Sequence, residues 1–290
     1  MKNGRSAGFV VLALVLGGSR GALAEDGVEP PVGGAAPAEA PAAAAPAGEK
    51  ALGLTVELGF QTNYIFRGLN VFGDRQLDAN CMFDPSLTYV IPGTTLTVGY
   101  WGGFQLNGSN LGAKLATTQG GEQDLWANYD VSLPSDLVLS LGVTAYLYPM
   151  SKESTTGASF PVYVEPRVGL SWNGPVVLSV NAMYFLGLQA TATIRDGSYF
   201  YVTPKVQKTF QFLPVVGLDL WLSYGFKYFL NGNAGLDNLH DVMFRAAVPI
   251  RPVGKLYLTP GVGAAWTDFR HRSAAEGFAV YGLFNVGVEL

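Results

Sequence analysis

The residues able to do covalent chemistry are few. The 290-residue chain holds two histidines, His240 and His271, and one cysteine, Cys81. A lone cysteine closes no internal disulfide, and two histidines with one thiol fall short of a metal-binding set. The sequence thus implies no cofactor. The densest reactive stretch is Arg270-His271-Arg272-Ser273-Ala274-Ala275-Glu276. In nucleophilic hydrolysis a histidine activates a serine hydroxyl while a carboxylate orients the ring. A solvated charged loop has the same composition, and three residues in a polar stretch favour that reading. His240 beside Asp241 reads as a rim residue at a strand start. No glycine-rich phosphate loop is present. The formal charge of −4 leaves no basic patch for nucleic acid. The chain is read as non-enzymatic.

The remaining charged residues matter for where they fall. Twelve of them occupy the polar phase of alternating segments: Glu57, Arg67, Asp84, Asp130, Glu165, Arg167, Lys205, Asp219, Lys227, Asp241, Arg245 and Glu289. Such positions face one side of a strand while their neighbours face the other. From residue 52 onward this period of two recurs. Leu54, Val56, Leu58 and Phe60 oppose Thr55, Glu57, Gly59 and Gln61. Leu218, Leu220, Leu222 and Tyr224 oppose Asp219, Ser223 and Gly225. About twelve such segments are expected, near 53–68, 77–91, 94–107, 124–133, 137–150, 161–172, 176–190, 198–212, 215–230, 239–250, 255–269 and 279–290.

Every second connection is a tight turn, such as Pro92-Gly93, Asn173-Gly174-Pro175 and Leu213-Pro214. The others are longer and polar. Alternating short turns and long loops is the layout of an outer-membrane barrel, with both termini on the periplasmic side. Composition agrees. Charged residues are 14%, aromatics 12%, and glycine is 37 of 290, whereas a soluble domain carries about 25% charge. After the N-terminus no apolar run is long enough for a spanning helix, which leaves a closed barrel as the other spanning solution. The expected fold is therefore all-β: a single closed antiparallel transmembrane barrel over 51–290, with short periplasmic turns and longer extracellular loops. A soluble β-sandwich is the rival, but it would carry polar and charged residues on its outer face. Pro85, Pro166, Pro204 and Pro260 fall inside the expected strands. A proline removes a ladder donor, so local bulges are expected there.

Residues 1–24 read as a secretory signal. Lys2 and Arg5 precede a short apolar core, and Ala22-Leu23-Ala24 is a cleavage site. Residues 25–50 are rich in Pro and Ala and are expected to form a disordered periplasmic linker. Export to the outer membrane follows, with membrane lipids and the barrel-assembly machinery as partners. The oligomeric state stays open.

If apolar residues face lipid, the charges must face the lumen, because Arg or Lys at mid-membrane depth costs about 2–4 kcal/mol on the lipid face. The inward acids are Glu57, Asp78, Asp84, Asp130, Glu165, Asp219, Asp241 and Glu289. The inward bases are Arg67, Arg167, Lys205, Lys227 and Arg245. Two readings stand. Opposite charges fill the lumen of a structural or anchoring barrel, or they line a water-filled path with a weak preference for cations. Phe60, Tyr64, Phe66, Tyr224 and Trp266 are expected on the apolar face as part of interfacial girdles.

Thr62-Asn63-Tyr64-Ile65-Phe66-Arg67-Gly68-Leu69 resembles the aromatic-Phe-Arg-Gly signature at the start of the TorF family of porins. Val98-Gly99-Tyr100-Trp101-Gly102-Gly103-Phe104 is similar to the strand after that family's first hairpin. The match covers roughly residues 54–105. It implies an outer-membrane channel for small solutes or ions, with Arg67 near the pore's outer end. The His-x-Ser of residues 271–273 is similar to that of lipid A deacylases, but the asparagine expected next is Ala274.

Overall fold

A computed structural model describes residues 52–70, 81–106, 122–147, 162–187, 198–229, 239–268 and 277–290. The long connections and residues 1–51, including the expected signal and linker, lie outside them. So do Asp78 and the His271–Ser273 stretch.

The strands are β1 (Leu54–Gln61), β2 (Ile65–Phe66), β3 (Leu69–Asn70), β4 (Met82–Val90), β5 (Leu96–Gln105), β6 (Glu122–Leu133) and β7 (Leu137–Leu147). They continue with β8 (Val162–Asn173), β9 (Val177–Gly187), β10 (Tyr199–Leu213), β11 (Val216–Phe229), β12 (Leu239–Ala247), β13 (Ile250–Val253), β14 (Leu256–Thr267) and β15 (Gly277–Glu289). Each wall strand pairs antiparallel with its sequence neighbours. The ring closes because β1 pairs with both β4 and β15. Strand β13 continues β12 past Val248-Pro249, and the ladders run on there through Val248 N–H to the Pro260 carbonyl. Twelve wall strands therefore form a closed barrel, and β2–β3 is a separate hairpin.

Alternation dictates the two faces. Leu58, Leu141, Leu178, Leu222, Tyr224, Val262 and Trp266 are exposed on the outer wall. Their in-between neighbours point to the lumen. One cation stands on the outer phase near the short-turn end. Lys208 lies between the exposed Val206 and Phe210 and reaches the Pro175 carbonyl in the β8–β9 turn. Its aliphatic stem covers apolar wall while the ammonium leaves it.

Glycine gives the lumen its texture. Trp126 lies flat over its cross-strand partner Gly99, Tyr257 over Gly287, and Tyr281 over Gly263. A Cβ on any of these glycines would stand 2.2 Å from the ring. Large inward rings thus lie along the wall instead of crossing the barrel.

The expected bulges at the prolines are not formed. Pro85, Pro166, Pro204 and Pro260 pair in register with Leu58, Val143, Val180 and Phe284. In an antiparallel strand each N–H points to one neighbour only. The missing donor therefore interrupts a single ladder, as between Val202↔Phe226 and Lys205↔Ser223, without shifting it. Register shifts occur instead near the short turns, at Gln211/Leu213 and Ile250/Val253.

Candidate functional site

The first segment departs most from expectation. Strand β1 ends at Gln61, not near residue 68, and the chain then turns into the barrel. Asn63, Tyr64, Ile65, Phe66 and Arg67 are all buried in succession. Consecutive burial is incompatible with a wall strand, whose residues alternate. Tyr64 and Phe66 therefore belong to the lumen and not to an interfacial girdle, whereas Phe60, Tyr224 and Trp266 do face outward. The segment is the small hairpin β2–β3, with Arg67-Gly68 as its two-residue tip. Both tip residues have positive φ, 46° and 83°, the requirement of a type I′ turn. Gly68 is needed twice over, because an added Cβ would meet the Asp241 Cβ at 2.5 Å.

The Arg67 guanidinium is 2% exposed. It forms an ion pair with Glu165 on β8 and donates to the Tyr199 hydroxyl on β10. It also lies 4.4 Å from the centre of the Tyr201 ring and 4.6 Å from that of Phe66. Tyr146 donates to the other Glu165 oxygen at 3.1 Å. The Tyr201 hydroxyl reaches both oxygens of Asp241 at 3.1 Å. Lys227 sits over the Tyr199 and Tyr201 rings. On the side of β5 and β6, Tyr64 stacks obliquely on Trp101 and donates to Glu122 at 3.1 Å. Ile65 packs on Ala265, Ala279 and Tyr281 of β14 and β15. One hairpin thus touches the wall all around and ties it together at the long-loop end.

The other half of the lumen differs. Glu57, Asp130, Arg167, Lys205, Asp219 and Arg245 face inward and stay partly accessible. Their hydrogen bonds run along the wall. Glu57 accepts from Tyr257 and Asn285, each at 2.9 Å. Asp130 accepts from Asn128 at 2.7 Å and Ser140 at 2.5 Å, and Arg167 donates to Asn128 at 3.0 Å. Asp219 accepts from Gln207 and Thr209. Lys205 lies over Trp221. Asp84 is buried, accepts from Gln61 on one oxygen and leaves Oδ1 without a partner. Glu289 stands apart at the short-turn rim, where it pairs with Arg251 and both side chains are about half exposed. His240 lies against the outward Tyr224 and bonds it through Nδ1.

Two lumen acids were not singled out from the sequence. Glu122 and Asp124 are 2% and 1% exposed. Extending the parity of Asp130 back through Asn128 and Trp126 reaches both, but the polar run before residue 124 reads as a loop.

No family model matches the chain, and no curated protein does. Solved structures do. An outer-membrane channel from Pseudomonas putida F1 superposes with a TM-score of 0.52 at 12% identity, over 83% of this chain and 97% of that one. The KdgM porin aligns over 81% and 99% at 8% identity with a TM-score of 0.48. The NanC porin aligns over 82% and 98% at 12% identity with a TM-score of 0.45. The fold is that of outer-membrane barrels.

Proposed function

We propose that the protein is an exported outer-membrane porin that lets small solutes or ions diffuse passively, with a weak preference for cations, and that performs no catalysis. The observation that carries this reading is the contrast along the lumen. Charged side chains toward the short-turn end lie along the wall and keep partial accessibility. That is the arrangement of a wet vestibule, because a filled barrel would bury them. The vestibule leads to one constriction, built by the hairpin tip Arg67-Gly68 against Glu165, Tyr199 and Asp241. The resemblance to TorF porins and the channel from Pseudomonas putida F1 agree with this reading. Membrane lipids and the barrel-assembly machinery are the partners such a protein needs.

Liposome swelling with small neutral and charged solutes tests it. Swelling that falls off with solute size supports a narrow pore. A purified, folded barrel that gives no swelling with any solute points to the second reading, a plugged structural barrel. The buried cluster around Arg67 is what favours that alternative.

A further inference from the structure

Two carboxylates at the long-loop end of the lumen have both oxygens engaged. Glu165 uses both oxygens, on Arg67 and Tyr146. The single Tyr201 hydroxyl lies between the two Asp241 oxygens, within 3.1 Å of each. Asp124 differs: it is 1% exposed, and neither oxygen has a hydrogen-bond partner. Glu122, two residues away on the same face of β6, takes Tyr64 on one oxygen and leaves Oε1 without a partner. A desolvated carboxylate without a donor is costly unless a cation or a proton neutralises it. Among the described residues five buried carboxylates, Asp84, Glu122, Asp124, Glu165 and Asp241, face two buried bases, Arg67 and Lys227. Among these described residues the charge needed for balance is positive.

We propose that Glu122 and Asp124 form the cation-binding step of the pore, the place where a permeant monovalent cation sheds water beside the Arg67 hairpin. This rests on the channel reading above. Residues i and i+2 of a strand lie roughly 7 Å apart, close enough for both carboxylates to share one partly hydrated cation. Among the described residues no group of three or more acids, histidines or cysteines converges to hold a resident metal. Two carboxylates and water suit an ion in transit, which must enter a site and also leave it. The Tyr64 hydroxyl fixes the Glu122 side chain, and the ion pair of Arg67 with Glu165 stands beside it.

The test is the reversal potential of the full chain in planar bilayers under a potassium chloride gradient. Wild type, Glu122→Gln, Asp124→Asn, the double variant and a turn control, Asp136→Asn, are compared. The expected result is a cation-to-anion permeability ratio that falls by about threefold or more in the double variant and by less in each single one. Asp136→Asn keeps the wild-type ratio. A conducting double variant with an unchanged ratio overturns the proposal, since the pair is then protonated filling. A silent wild type overturns the channel reading itself. If the double variant does not fold, the single variants decide on the same criterion.

Discussion

Arg67 is bulky, sits at positive φ, and is buried in the middle of a membrane barrel. Each of these is unfavourable alone. They hold together because Glu165, Tyr199 and three aromatic faces receive the guanidinium. Removing one partner of a buried ion pair costs about 3–5 kcal/mol, whereas replacing both by apolar groups of similar size is often neutral. Arg67→Ala should therefore lower stability in reversible urea unfolding by about that amount, and Arg67→Met with Glu165→Met should recover most of it. Equal loss in both variants would contradict the assigned pairing. Gly99→Ala should cost about 1–3 kcal/mol through its clash with the Trp126 ring. Arg251→Ala, at an exposed rim pair, should change stability by less than about 1 kcal/mol. At this scale sequence parity finds inward acids such as Glu57, Asp130 and Glu165. It cannot find Tyr64 and Phe66 in the lumen, because an inward turn breaks the periodicity on which parity relies.

The hairpin β2–β3 is the element that separates an open barrel from a constricted one. Its sequence, alternating and aromatic, reads as the continuation of β1, and the stop lies in the Arg67-Gly68 tip. Gly68→Ala should disfavour the tip both by its φ and by the contact with Asp241. Replacing residues 63–68 by a Gly-Ser stretch should leave the wall strands paired, because none of their ladders uses those residues. The purified variant should keep the slower, heat-modifiable migration of a folded barrel on cold gels. A variant that migrates as unfolded chain would make the hairpin a nucleus of the barrel. The twelve wall strands themselves are legible from period and turns, since closure requires only that each apolar face meet lipid. The in-register prolines are not, because which neighbour loses the N–H depends on pairing phase.

At the scale of the molecule, the barrel combines partly accessible lumen charges toward the short-turn end with a buried cross-lumen tie at the other. Period, turn rhythm and low charge give the barrel and the inward phase of its charges from the amino-acid order alone, while an open and a filled lumen fit that order equally. The tie needs contacts between β1's extension and β8, residues 98 apart for Arg67 and Glu165, which no local pattern encodes. The proposed pore is a narrow conducting path past Arg67. Single-channel current of the purified wild-type barrel in planar bilayers tests it most directly, with the 63–68 replacement recorded alongside. Small ohmic steps are expected from wild type and steps several times larger once the hairpin is gone. A silent wild type, or equal steps from both proteins, would contradict it.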